Sequence, residues 1–138
     1  MVFAHVKEAA RVALKHVGGT RRRRELAILL ADDARLKALN LAFRRRNKTT
    51  NVLSFPATEG TDYLGDIAIA HGVATEEARA RCITLADHAA HLAVHGVLHL
   101  LGYDHERACD ARVMETLEVL ILSELGIADP YAPRTRAA

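Results

Sequence analysis

Apolar positions change their period several times along this chain, and each change marks an element. Phe3, Val6, Ala10, Ala13, Leu14 and Val17 recur at helical spacing until Gly18 and Gly19 end the pattern, which predicts an amphipathic first helix. Glu25 to Ala31 is a short apolar run, read as a strand covered on both faces, although leucine and alanine favour strands only weakly. Asp32 and Asp33 have the chemistry of a helix start, and Leu36, Leu39 and Phe43 form an inward stripe behind them that carries Arg44 to the helix end. Residues 51–56 and 64–70 read as two strands of a hairpin, joined by the turn-forming connector 58–62. Thr75, followed by two glutamates, predicts a capped helix start. A long helix is expected from about Leu85 to Leu101, with Val94, Leu98 and Leu101 turned to the core. A last helix is expected from Arg107 to Leu125, before Gly126 and Pro130. That leaves 127–138 as a loose tail.

Composition adds bounds. The chain has 138 residues, half of them apolar and about a quarter charged, which suits one domain over 1–138 with a core of its own. No apolar run approaches the roughly 20 residues that cross a bilayer, and His5, Lys7, Glu8 and Arg11 are foreign to a secretory signal, so the expectation is a soluble, cytoplasmic protein with no membrane partner. Cys82 and Cys109 are too few for a disulfide framework, which fits a reducing compartment and a role as small buried apolar residues.

The net charge of +2 conceals two poles. Residues 1–50 carry 13 Lys or Arg against 4 Asp or Glu, whereas residues 51–138 carry 6 against 13. Basic residues gather at 21–24 and at 44–48, the footprint expected of a surface that meets phosphate backbones. For the arginines at 21–24 a merely solvated surface explains the cluster equally well. Arg44, Arg45, Arg46 and Lys48 are the better candidates for meeting nucleic acid because they lie in a short polar connector, where binding groups are displayed. With only three phenylalanines, three tyrosines and no tryptophan, base stacking is a minor source of affinity; backbone electrostatics, weakening as salt rises, is the major one.

Candidate chemistry concentrates in the eleven residues 95–105. His95 and His99 are four apart, hence about 40° apart around a helix and able to share one cation. Gly102 stands where the helix must stop, and His105 follows in the turn as a third imidazole. Three imidazoles with one open position describe catalytic rather than structural zinc, one ion per chain. The spacing equals the ligand and glycine spacing of the metzincin proteases, but the helix position that should carry their glutamate base is Gly96. His88 and His91 share about 80° of arc with the ligand pair, too far along the axis to join it. His88 reads as a structural histidine bonded to a neighbouring strand, and His91 as a candidate support for the ligands or a cleft wall. Asp104 is a candidate proton carrier or support for the ligands, whereas Glu106 reads as a surface cap.

The segments 39–44 (LNLAFR), 50–56 (TNVLSFP), 64–69 (LGDIAI), 91–106 (HLAVHGVLHLLGYDHE) and 129–131 (DPY), in this order, resemble the bacterial YbeY family of ribosomal RNA maturation factors across roughly residues 25–131. The resemblance implies an α+β fold, with a mixed β-sheet of three to four strands flanked by helices and a cleft holding the metal. It also implies a zinc-dependent single-strand endoribonuclease that acts in ribosomal RNA maturation at the small-subunit 3′ end and in ribosome quality control. Its partners would be single-stranded ribosomal RNA and the ribosome or its proteins. Residue by residue, it puts the zinc ligands on His95, His99 and His105 and the cleft arginine on Arg44. Two departures stand out: Thr49 replaces a frequent proline, and no leading strand is visible before the first helix. The residues alone leave open a ribosome assembly factor with a structural metal and a zinc hydrolase of another bond.

Overall fold

Eight elements follow one another: α1 (Val2–Val17), β1 (Glu25–Ala31), α2 (Asp33–Arg44), β2 (Val52–Pro56), β3 (Tyr63–Ala70), α3 (His71–Ala80), α4 (Leu85–Leu100) and α5 (Ala108–Glu124). They come from a computed structural model that describes residues 2–17, 25–44, 51–57, 63–103 and 107–132, the side chains of Phe43 and Arg44 excepted. Among the described residues the sheet has three strands in the order β1-β3-β2, the lower of the two expected counts. It is mixed: β1 runs parallel to β3 and β2 antiparallel to it. The α+β architecture and the pairing of β2 with β3, Val52 opposite Ile69 through Pro56 opposite Gly65, agree with the expectation.

The central strand β3 divides two cores. Leu64, Ile67 and Ile69 pack with Val6, Ala9, Ala13, Val94, Val97 and Leu98 of α1 and α4, and with Met114, Ile121 and Leu122 of α5. Ala68 and Ala70 face the other way, where Leu36, Leu53 and Ala31 close a smaller cluster under α2. Branched residues on one face and alanines on the other set how near each helix layer approaches. The first-helix stripe holds for Val6, Ala10 and Ala13, but Phe3 is half exposed. The expectation that β1 is covered on both faces fails as well. Among the described residues it is an edge strand paired with β3 alone; Leu26, Ile28 and Leu30 pack on the core, while Ala27 and Leu29 stay exposed on the other face, where α2 packs chiefly over β3.

Helix α3 starts one turn before the expected cap. Its N-terminal N–H of Val73 donates to Asp33 Oδ1 at 3.0 Å, so a side chain distant in sequence caps it. Thr75 already lies inside the helix, its hydroxyl donating to the carbonyl of His71 at 2.7 Å. The cap of α4 is Thr84, whose Oγ1 accepts from the N–H of Asp87 at 3.1 Å.

Three helices end by one device. After α4, Gly102 N–H donates to His99 O and Tyr103 N–H to Leu98 O, both at 3.0 Å, with Gly102 at φ +101°. After α5 the corresponding pairs are Gly126 to Ser123 O and Ile127 to Leu122 O, with Gly126 at φ +75°. This is the paired 5→2 and 6→1 closure that puts a left-handed residue just past the helix. After α3 the left-handed place is taken by Cys82 at φ +56°, which donates to Arg79 O while Ile83 donates to Ala78 O. Both Cys82 and Cys109 are exposed, which corrects the expectation of buried apolar roles. A side chain in this conformation costs on the order of 1 kcal/mol. Cys82→Gly is therefore expected to stabilise the fold by up to about 1 kcal/mol, raising the melting temperature by roughly 2–4 °C. A thermal melt of the two proteins checks it.

Candidate metal centre and cleft

Helix α4 brings His95 and His99 together. Their ring centroids lie 4.7 Å apart at an interplanar angle of 77°, both side chains half-buried on one face. The helix is otherwise sealed into the core through Val94, Val97 and Leu98, so the imidazole pair sits on a rigid support. Gly96, between them in sequence, faces the sheet. A Cβ built there would lie 3.0 Å from both Cδ1 and Cγ2 of Ile67, and Ser54 Oγ donates to the Gly96 carbonyl at 3.3 Å.

Behind the pair lies a residue absent from the expected set. Glu118 of α5 is fully buried among Met114, Ile121 and Leu122. Its Oε2 accepts from His95 Nδ1 at 2.7 Å, and its Oε1 accepts from His91 Nε2 at 2.7 Å and from the hydroxyl of Tyr131. Burial alone would raise this carboxyl, but the hydrogen bonds from His91, His95 and Tyr131 outweigh it and bring it down to about 2. A carboxylate accepts, so with Nδ1 of His95 donating to Glu118 a cation would meet the ring at Nε2. Burial, then the bond to Glu118, raises the Tyr131 phenol, which stays a donor. The sequence does carry a signal for Glu118: it is the one acid in the stripe Met114, Glu118, Ile121, Leu122, spaced to face the core.

A second imidazole–carboxylate pair continues along α4. His88 Nε2 lies 2.9 Å from Glu77 Oε1, and the Asn51 amide donates to the same oxygen at 3.1 Å. The expected strand partner of His88 is thus a carboxylate on α3. His91 is buried, lies 2.7 Å from Glu118 Oε1 through Nε2, and forms part of the cleft wall. That cleft has a volume of about 310 Å³ and is lined by Asn51, Glu77, Arg81, His91, His95 and Tyr131, among others. Tyr131 is no loose tail: its N–H donates to Asp129 Oδ1 at 2.8 Å, and Arg81 Nη2 donates to the carbonyl of Pro130 at 3.0 Å.

Arg44 closes α2, its backbone placed at the helix end and its side chain outside the described residues. Arg45, Arg46, Lys48, Asp104, Glu106 and His105 lie outside them altogether, as does the basic run 21–24. Among the described residues no group of three His, Cys, Asp or Glu side chains is placed to hold a metal ion. The donor set that is described still fits one: two imidazoles a turn apart, one of them held by a carboxylate through its other nitrogen, as histidine ligands usually are.

Fold and site thus define a class: a small α+β domain that presents a helix-borne imidazole pair, braced by a buried carboxylate, beside an open cleft. Residues 2–126 match the family model described as Endoribonuclease YbeY, and the chain belongs to that family. Among its curated relatives, the endoribonuclease YbeY of Maricaulis maris is 53% identical over 107 residues, covering 77% of this chain and 67% of the relative. The one from Nitrobacter winogradskyi is 51% identical over 121 residues, covering 81% of this chain and 64% of the relative. The matched stretch is therefore about two thirds of these relatives' length. The solution structure of TM1509 from Thermotoga maritima superposes with a TM-score of 0.58 at 24% identity, over 96% of this chain and 92% of that one, and shares the fold. The match extends the expected span of 25–131 forward to include α1. No helix among the described residues is long and apolar enough to cross a membrane.

Proposed function

We propose that this chain is a zinc-dependent endoribonuclease that cuts single-stranded RNA, working in the cytoplasm on ribosomal RNA at the small-subunit 3′ end and in ribosome quality control, in contact with the ribosome. The observation that carries the reading is the His95–His99 pair, 4.7 Å between ring centroids, with Nδ1 of His95 already engaged by Glu118. Membership in a family whose members are named endoribonucleases supplies the bond that is cut. His105, three residues past the helix-ending Gly102, completes a three-imidazole set. Bound there, a zinc ion supplies positive charge for the phosphate and lowers the pKa of a neighbouring water.

The chain's own groups do the rest. Arg44 offers a planar guanidinium that meets two non-bridging oxygens at once, where charge accumulates as the phosphodiester breaks. Arg45, Arg46 and Lys48 extend that positive edge along the RNA backbone. Asp104 is the candidate to carry a proton beside the third ligand. Gly96 leaves the helix without the carboxylate base of a zinc peptidase, and its place against Ile67 gives such a base no room.

The test is cleavage of single-stranded RNA by purified protein with metal stripped and restored. Arg44→Ala is expected to lower cleavage by about 10²–10³-fold with unchanged zinc content and melting temperature. A single 2′-deoxy substitution at the cut site identifies the nucleophile, since continued cutting eliminates attack by the 2′-hydroxyl. RNA binding and bound zinc without cleavage would instead favour an assembly factor with a structural metal. Background cleavage that no variant alters would mean a contaminating nuclease.

A further inference from the structure

We infer that Glu118 is a positioning residue of the metal centre. From the buried face of α5 it locks the His95 ring with its proton on Nδ1, so that Nε2 is presented for coordination, while His91 and Tyr131 fix the carboxylate itself. The inference rests on the metal reading above and adds a residue to it that neither the ligand motif nor the basic connector contains.

Three observations converge. First, both carboxylate oxygens are engaged: Oε2 by His95 at 2.7 Å, Oε1 by His91 at 2.7 Å and by the Tyr131 hydroxyl. A carboxylate held at both ends has a fixed plane, and it therefore fixes the rotation of the His95 ring. Second, Glu118 is completely buried within an apolar stripe, where a hydrophobic side chain of similar volume would pack at least as favourably as an ion. Packing alone gives no reason for an acid there, whereas an imidazole ligand that needs its second nitrogen occupied does. Third, the clamp is itself anchored. Tyr131 reaches Glu118 from a segment that turns on its own Asp129 and is tied to Arg81, at the end of α3, through the Pro130 carbonyl, so α4 and the segment after α5 both hold this one carboxylate.

Loss of such a partner lowers metal affinity by roughly 10–100-fold. Glu118→Gln keeps the size but can accept on one atom only, so it cannot accept from both His91 and His95, and the ring facing the amide nitrogen must shift its proton to become the acceptor. Glu118→Asp keeps the charge but withdraws it from His95 by one carbon. If the charge alone mattered, the Asp variant would match the parent; a positioning role makes it fail alongside Gln. Tyr131→Phe keeps the ring, leaves His95 its acceptor and frees the carboxylate to turn, with a smaller loss of several-fold.

Two measurements decide it, on the full chain: nitrogen-resolved NMR of the histidine rings in metal-free protein, and zinc titration against a competing chelator. The expected result is a His95 ring protonated at Nδ1 in the parent and a tautomer mixture in the Gln and Asp variants, with zinc affinity falling in the order given. Variants that melt like the parent, show the same His95 tautomer and bind zinc equally would overturn the inference while leaving the metal centre intact. A parent protein that binds no zinc would remove the metal centre, and the positioning role with it. Should Glu118→Gln fail to fold, Tyr131→Phe decides by zinc affinity: a several-fold loss supports the clamp, and parental affinity overturns it.

Discussion

Gly96→Glu is expected to unfold the protein, although it restores the glutamate of a zinc-peptidase helix. In the histidine ligand spacing this position looks like a lost catalytic base; in the fold it is the point where α4 lies against β3. A Cβ would stand 3.0 Å from Cδ1 and Cγ2 and 3.2 Å from Cγ1 of Ile67, a side chain with no exposure. Because three atoms of one branched side chain crowd the site, no single rotation clears it. Overpacking of this kind costs about 1–3 kcal/mol. Burying a carboxylate without a partner adds several more, and the sum is comparable to the total stability of a domain, about 5–15 kcal/mol. Gly96→Ala separates the two contributions. Its helix propensity returns about 1 kcal/mol against the same crowding, so a net loss of about 1 kcal/mol is expected. Circular dichroism and urea titration check both variants, and a Gly96→Glu protein that melts within a few degrees of the parent would refute the packing argument.

His99→Ala should leave the fold in place and abolish the metal-dependent activity. The residue is half-buried near the end of α4, and alanine is a better helix former than histidine, so the metal-free protein is expected to keep its stability within about 1 kcal/mol. The zinc site loses one of its proposed imidazoles, and stoichiometric zinc should disappear from the purified protein. Lewis-acid charge contributes several kcal/mol at a phosphoryl centre. At 1.36 kcal/mol per decade that corresponds to a fall of at least about 10³-fold in RNA cleavage. Elemental analysis and a cleavage assay measure the two effects. His16→Ala is the matched control: that imidazole pairs with Glu124 at 2.6 Å on α1, away from the cleft, and its loss should spare both. A His99→Ala protein that retained one zinc and its activity would sink the ligand assignment.

Periodicity made the helices legible. The expected 85–101 and 107–125 became Leu85–Leu100 and Ala108–Glu124, since each has a long apolar pattern and a glycine at its stop. Local patterns failed where distant groups intervened. The start of α3 was misplaced because its capping carboxylate, Asp33, lies forty residues earlier. The exposed face of β1 was unreadable because whether a helix covers that face is decided by elements distant in sequence, which no run of seven residues reveals. The closeness of His95 and His99 was visible because one helix carries both imidazoles. Glu118 escaped because its significance lies in facing His95 and His91 from another helix, although an acid in a core-facing stripe was there to be questioned. His105 and the basic connector belong to the legible part of the sequence and lie outside the described structure.

The brace behind the ligands also sets an order in time. A chain emerging amino end first exposes His95 and His99 before it has made Glu118, and Tyr131 arrives later still. Until α5 docks, the imidazoles are free to spin and their protons to wander between nitrogens. A cation site braced in this way is expected to reach its full grip only after α5 has closed over α4.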